Sequence, residues 1–414
     1  MNDVLEFLYS LQFSGIKLGL QNIKNLLEYH NIDYKSLKFI HIAGTNGKGS
    51  TANILNSIYS YSGYKVGLFT SPHITSFNER IRVNGEMITD SELSSVTSKL
   101  KDGIKRFNTT FFEATTAIAI QYFIERNVDL VIFETGLGGR FDSTNIVDPI
   151  LSIITTIGYD HQSFLGNSIV GIAKEKAGII KRGVPLVVNE ENKLISNIFK
   201  SKAHSLKSPF YLTSGRKIRV HKNGQISFKF NGEPVRSNFS LNGKFQIKNF
   251  RAVLQSVEIL NSDFPVSVVQ LKKSLSNLYV KGRMEEISKD PWIILDAAHN
   301  QEGLNNLKEE LKSYDYKNLY LITGVLKDKD YGKILKILST ISNQIAIFPP
   351  FNKRSLDIND LKTYISRNGY SQFNTFQSSR EAFRQILRKY CSGDLILVTG
   401  SHFVLSDFIS QCIN

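Results

Sequence analysis

Residues 41–51 read HIAGTNGKGST, with Lys48 set between Gly47 and Gly49 and two hydroxyls following at Ser50 and Thr51. A Gly-rich turn between a strand and a helix aims backbone N–H groups and the helix N-terminus at an anion. A lysine within it adds a point charge for phosphate. The common phosphate-loop pattern, G-x-x-x-x-G-K-[ST], nevertheless fails at two places. Ile42 stands where the first Gly belongs, and Gly49 where the hydroxyl should follow Lys48. The stretch reads as a nucleotide site of a variant kind, with Ser50 or Thr51 in reach of a Mg²⁺ ion, or as a Gly-rich turn with a solvated lysine.

A phosphate site of this sort needs metal ligands. The apolar run VDLVIFETG ends on Glu134, which puts a carboxylate at the C-terminal edge of a strand. GYDHQSFLG places Asp160 and His161 after the next strand, at the same edge. Carboxylate, hydroxyl and imidazole together suit Mg²⁺, although His is an uncommon ligand for that ion. A helix cap for Asp160 and a turn histidine for His161 are the plainer alternatives. SIVGIAKEKAGII adds a sharper signal, a short helix with Ser168 as N-cap and Gly178 as stop. Ile169, Ile172 and Ala173 make its apolar stripe, and Lys176 takes the i+7 place on it. Such a lysine either snorkels outward or is aimed into a site.

Periodicity supplies the elements that must hold these residues. LKFIHIAG reads as a buried strand and a helix follows from Thr51; KVGLFT is a strand, EATTAIAIQYFIERN a helix, VDLVIFETG and PILSIITTIG strands. This alternation implies an α/β fold with a mostly parallel sheet of the P-loop type. From residue 209 to 242, short alternating segments around KNGQ and FNGE predict hairpins, a small β-rich subregion, and the helix IKNFRAVLQSVEIL follows. A second, Rossmann-like α/β block carries strands in WIILDAAHN, LYLITGV, QIAIFPP and DLILVTGS. The boundary is set near residues 281–286, giving domains 1–282 and 283–414.

The 51 Lys and Arg against 37 Asp and Glu leave a net charge of +14, which suits anionic ligands of several classes. The cations are dispersed, with no basic stripe interleaved with aromatics, so nucleic acid is not expected as a partner. No apolar run approaches the ~20 residues that span a bilayer, and MNDVLEFLYS lacks the basic-then-apolar pattern of a signal peptide. No membrane partner and a cytoplasmic location are therefore expected. The two cysteines, Cys391 and Cys412, form neither a metal-ligand spacing nor a disulfide framework.

The blocks HIAGTNGKGST, TSPHITSFNERIRVNG, FFEATTAIA, ETGLGGRFDSTN, DHQSFLG, IAKEKAGII, GRMEEI and DAAHN occur in that order. Together they resemble the folylpolyglutamate synthase and dihydrofolate synthase family of the Mur-ligase superfamily, over most of residues 12–303. The resemblance implies a ligase in which ATP phosphorylates a substrate carboxylate and the amine of L-glutamate attacks the acyl phosphate. It implies that Asn46, Gly47, Lys48, Gly49 and Ser50 cradle ATP, that Asn249, Arg283, Asp296 and His299 also contact it, and that Ser71, Glu134 and His161 hold Mg²⁺. Arg283, Asp296 and His299 would come from the C-terminal domain. Lys176 matches a lysine carried as a carbamate, and with Lys48 and His161 it makes the catalytic set. Thr110, Phe111, Phe112 and Glu113, with Phe141, Asp142 and Ser143, match pterin- or folate-binding segments. Two Mg²⁺ ions are expected, with a monovalent cation as a further candidate, and dihydropteroate or a reduced folate as acceptor for a monomeric, two-activity enzyme. Phe245 and Phe250 around Asn249, and Gln21 and Asn22 after KLGL, depart from the family pattern. The alternatives are a folylpolyglutamate synthase alone or another Mur-type ligase. A P-loop GTPase lacks support because no N-K-x-D segment is present.

Overall fold

The structure, a computed structural model, describes residues 2–11, 19–327, 329–352 and 354–413. Of the span 12–303 that the family resemblance mostly covers, positions 12–18 lie outside the described residues. The chain divides into two units, Met1–Ser240 with Gln246–Tyr279, and Leu241–Phe245 with Val280–Asn414.

In the first unit, β1 (Phe39–Ala43), β2 (Val66–Phe69), β3 (Ile81–Val83), β4 (Glu86–Met87), β5 (Leu130–Glu134), β6 (Leu151–Ile154), β7 (Leu186–Val188) and β8 (Phe210–Leu212) build one sheet. Its order is β4-β3-β2-β5-β1-β6-β7-β8, parallel except at the β3–β4 edge. The central strands β1, β2, β5, β6 and β7 are buried at every residue. That is why they read as continuous apolar runs rather than alternating ones. Chain order reverses at β1, and ligand sites of open α/β sheets form in the crevice outside the carboxyl ends at such a point. The register pairs Ile42 with Glu134 and Ala43 with Ile154, so the loops after β5, β1 and β6 emerge side by side.

The β-rich subregion is an antiparallel sheet of β9 (Arg219–Val220), β10 (Gln225–Phe230) and β11 (Glu233–Asn238). Both expected hairpins are present. At the second, Asn231 (φ 50°) and Gly232 (φ 87°) are left-handed, as a two-residue Asn-Gly turn requires. Ile226, Phe228 and Phe230 alternate onto the buried face, where Phe228 meets Phe250 of the helix Lys244–Ile259 edge-on at 5.2 Å.

The second unit holds β12 (Glu285–Lys289), β13 (Trp292–Asp296), β14 (Leu319–Thr323), β15 (Gln344–Ile347), β16 (Phe373–Thr375) and β17 (Leu395–Thr399). Their order is β12-β13-β17-β14-β15-β16, parallel except for β12. Leu321, Leu395 and Leu397 are among its fully buried core residues. No helix among the described residues is long and apolar enough to cross a membrane.

Two local expectations change. The helix after the Gly-rich loop starts at Lys48, not Thr51, because Gly47 serves as its N-cap in the left-handed region at φ 87°. Gly178 does not stop its helix by a left-handed turn. The helix Ile169–Lys176 passes into a 3₁₀ turn over Ala177–Ile179, and Gly178 is needed because a Cβ there would lie 2.4 Å from Arg140 Cα.

Candidate active site

The loop leaving β1 is shaped by close approaches only glycine allows. A Cβ on Gly44 would fall 1.7 Å from Thr155 Oγ1, and one on Gly47 would fall 2.3 Å from Asn249 Oδ1. The loop is also tied to the chain leaving β6. Thr45 N donates to Thr156 O at 2.7 Å, the Thr45 hydroxyl donates to Gly158 O at 3.1 Å and accepts from Gly158 N at 3.0 Å, and Asn46 bridges Thr156. Ser50 and Thr51 are buried in the first helical turn, and the Thr51 hydroxyl has no hydrogen-bond partner there. Asn249 Nδ2 donates to Gln246 Oε1 at 3.0 Å, which holds its carboxamide oxygen against the loop.

Two lysines converge on one carbonyl. Lys48 Nζ donates to Gly44 O at 3.1 Å and Thr45 O at 3.4 Å, and Lys176 Nζ donates to the same Gly44 O at 2.7 Å. Lys176 points inward, as its place on the stripe of Ile172 and Ala173 allows, and is 5% exposed. Its backbone is packed against the GLGGR loop: a Cβ on Gly139 would lie 2.9 Å from Glu175 O, and Arg140 N donates to that oxygen at 2.9 Å. Burial, and then the Lys48 charge, push the Lys176 ammonium down to about 7, with Asp160 and Asp142 opposing. Near neutral pH it is therefore partly a free amine. Two cationic groups sharing one carbonyl favour an anion between them.

Glu134 is buried at the end of β5. Its Oε2 accepts from Ser71 N at 3.1 Å and would stand 3.7 Å from a Cβ on Gly49, which puts the carboxylate beside the first turn of the phosphate-loop helix. Ser71 and Glu134 are thus brought together, with hydroxyl and carboxylate oxygens of the kind Mg²⁺ takes. His161 is placed differently. It is an exposed, left-handed residue (φ 51°), and its Nε2 lies 3.7 Å from Asp160 Oδ2. No group of three or more His, Cys, Asp or Glu converges among the described residues; the expected set has only two of these types, its third donor being the Ser71 hydroxyl.

Much of the pterin-matching set is engaged in local structure. Thr110 and Glu113 form a capping box on the helix Phe111–Glu125. Phe111 stacks on Tyr9 at 5.8 Å and lies under the Arg80 guanidinium at 5.3 Å, while Phe112 packs against Phe69 and over Gly136. Phe141 is 43% exposed and available to a ligand. Asp142 accepts from Leu137 N at 2.7 Å, Thr144 N at 3.0 Å and Thr144 Oγ1 at 2.5 Å, and the Gly136 backbone also donates to it, so its acceptor positions are largely used by the protein itself. Since the Thr144 hydroxyl donates to Asp142, it accepts from His41 Nε2 at 2.8 Å; burial keeps that histidine neutral, its pKa pushed to about 3. Ser143 Oγ bonds Thr116 Oγ1 at 2.7 Å.

In the second unit, Asp296 ends β13 and is buried. Its oxygens accept from Met284 N at 3.0 Å and Ala298 N at 2.9 Å, and burial raises its pKa against the opposing Arg283 charge. Arg283 Nη1 donates to Gly282 O at 3.1 Å. His299 Nδ1 meets Ala297 O at 2.9 Å. Sequence reasoning missed Gly44, Thr156 and Gly139; only the two glycines carried a signal, being inside motifs already singled out.

The Mur ligase middle domain matches residues 42–257, and the Mur ligase glutamate ligase domain matches residues 282–402. The chain is 37% identical over 415 residues to the dihydrofolate synthase/folylpolyglutamate synthase of Bacillus subtilis, covering 95% of this chain and 94% of the relative. Among solved structures it is similar to E. coli FolC in complex with DHPP and ADP, with TM-score 0.88, 26% identity, and 98% and 97% of the two chains covered. It is also similar to the bifunctional folylpolyglutamate synthase/dihydrofolate synthase of Yersinia pestis complexed with AMPPNP and Mn ion, with TM-score 0.87, 28% identity, and 99% and 97% covered.

Proposed function

Because the chain belongs to the Mur ligase family, on its dihydrofolate synthase/folylpolyglutamate synthase branch, we propose that it joins L-glutamate to the carboxylate of dihydropteroate and of reduced folates. The enzyme is an ATP-dependent amide-forming ligase that uses a divalent metal ion. A carboxylate oxygen of the acceptor attacks the γ-phosphorus of ATP and ADP leaves. The glutamate amine then attacks the acyl carbon, inorganic phosphate leaves, and the amine gives up a proton. Both transfers depend on positioning and on cations that meet developing negative charge.

The observation that carries this reading is the pair of lysines on Gly44 O beside Glu134. Lys48 and the loop N–H groups of Asn46, Gly47, Gly49 and Ser50 would hold the phosphates. Glu134 and Ser71, joined by His161 if its loop turns toward them, would hold Mg²⁺, which neutralises charge on the transferring phosphoryl group. Lys176, with its depressed pKa, is suited to react with CO₂; the resulting carbamate would supply oxygens toward a second Mg²⁺. Asn249, Arg283, Asp296 and His299 are assigned to the nucleotide, and the Phe111–Glu113 and Phe141–Ser143 segments to the pterin. A monovalent cation, a monomeric state and a cytoplasmic location complete the proposal. The test is acceptor labelled with ¹⁸O in its carboxylate. One labelled oxygen should appear in the released phosphate; unlabelled phosphate during amide formation would exclude the acyl phosphate.

A further inference from the structure

At the carboxyl edge of the second sheet, β13 and β17 lie side by side with Asp296 opposite Thr399. The chain leaving β17 is tied to the chain leaving β13. Gly400 N donates to Ala298 O at 3.1 Å and Thr399 Oγ1 to the same oxygen at 3.4 Å. Gly400 adopts φ +125°, and a Cβ on it would fall 2.7 Å from Gly324 O, so only glycine closes this turn. The Ser401 hydroxyl accepts from Val404 N at 3.2 Å, which fixes where the next helix starts. These constraints set the His402 ring 6.0 Å from that of His299 and its Nε2 3.4 Å from Arg283 Nη2.

The backbone under Arg283 is equally fixed. Gly282 (φ 64°) and Met284 (φ 48°) are both left-handed. Gly282 N donates to Glu285 Oε2 at 2.6 Å, Gly282 O accepts from Ala297 N at 2.9 Å, and Met284 N binds Asp296. The side chain, by contrast, faces a choice. The buried Asp296 carboxylate is near enough to feel the guanidinium, and a bidentate Arg–carboxylate pair would consume the fork. Instead, two of its five donors go to Gly282 O and His402 Nε2, while each Asp296 oxygen accepts from a backbone N–H group.

We infer that His402 is a positioning residue: it accepts from Arg283 Nη2, holds the guanidinium off Asp296, and leaves its remaining N–H groups for a substrate oxyanion. That oxyanion is a phosphate of ATP or a carboxylate of glutamate. The inference rests on the proposed ligase reading for Arg283, and it concerns a residue that reading does not use.

Steady-state kinetics of His402→Phe and His402→Gln test it. Phe keeps a ring against His299 and removes the acceptor, whereas Gln keeps an acceptor. His402→Phe should raise KM by about fivefold to tenfold, the loss expected for one hydrogen bond of ordinary strength, with kcat within about twofold, and His402→Gln should recover most of it. A rise for ATP identifies phosphate, and a rise for glutamate identifies carboxylate. Unchanged KM for both in a folded His402→Phe protein overturns the inference, as does His402→Gln being no better than His402→Phe. If the wild type releases no ADP with glutamate, the ligase reading itself fails. Equilibrium binding of ATP and of glutamate to the same three proteins then reads the same difference.

Discussion

Lys176→Met keeps the length and apolar stem of the side chain and removes its charge, in a site where the residue is 5% exposed. Burial and Lys48 lower its pKa from 10.5 to about 7. An unfolded chain therefore binds more protons than the folded one between those values, and stability rises with pH across that window. Below about pH 7 the full penalty is present; above 10.5 it is gone. A shift of that size corresponds to roughly 5 kcal/mol as an upper bound, offset by about 1.5–3 kcal/mol for the lost charged hydrogen bond to Gly44 O. In metal-free, CO₂-free buffer, Lys176→Met should be the more stable protein at pH 6.5 by about 2 kcal/mol. That advantage should shrink by about 2–3 kcal/mol by pH 9, since the linkage scales with the distance from the unfolded pKa. Urea denaturation followed by far-ultraviolet circular dichroism measures both values. A variant destabilised equally at both pH values would refute the reasoning, because it would mean that Lys176 is not held as a desolvated cation. The same variant should be nearly inactive as a ligase.

Lys48→Ala should lose glutamate-dependent ADP release by orders of magnitude while its melting temperature stays within a few degrees; unchanged turnover at saturating ATP would remove Lys48 from the phosphate site. Gly47→Ala should be inactive and destabilised, because its Cβ would meet Asn249 Oδ1 at 2.3 Å from a left-handed backbone, and normal ATP binding in it would contradict the loop geometry. Asp142→Ala should cost about 2–4 kcal/mol, since it orphans the Leu137 and Thr144 donors in a buried loop; a neutral effect on urea midpoints would show that the loop repairs itself.

The parts of this site that the sequence disclosed are those governed by local pattern. The run ending at Glu134 had to be a buried strand, and the stripe Ile169-Ile172-Ala173 put Lys176 on an apolar face while leaving open whether its ammonium turns inward or snorkels outward. The Thr110-to-Glu113 spacing carries a capping box that is equally legible in the sequence and is formed in the structure. What stayed hidden depends on segments far apart in the chain. Gly178 yields to Arg140, Gly139 to Glu175, and Gly44 to Thr155. In each case the reason for glycine is a neighbour supplied by the tertiary fold, which spacing along one segment cannot encode. The meeting of Lys48 and Lys176 on a single carbonyl and of Arg283 with His402 are of the same kind.

The most direct test of the central claim is ADP release by the purified protein with ATP, Mg²⁺ and L-glutamate, with dihydropteroate and tetrahydrofolate supplied in parallel as acceptors. The account predicts release that requires glutamate with each acceptor, accompanied by products heavier by one glutamyl residue. Release that ignores glutamate, or a glutamyl product with neither acceptor, would contradict it.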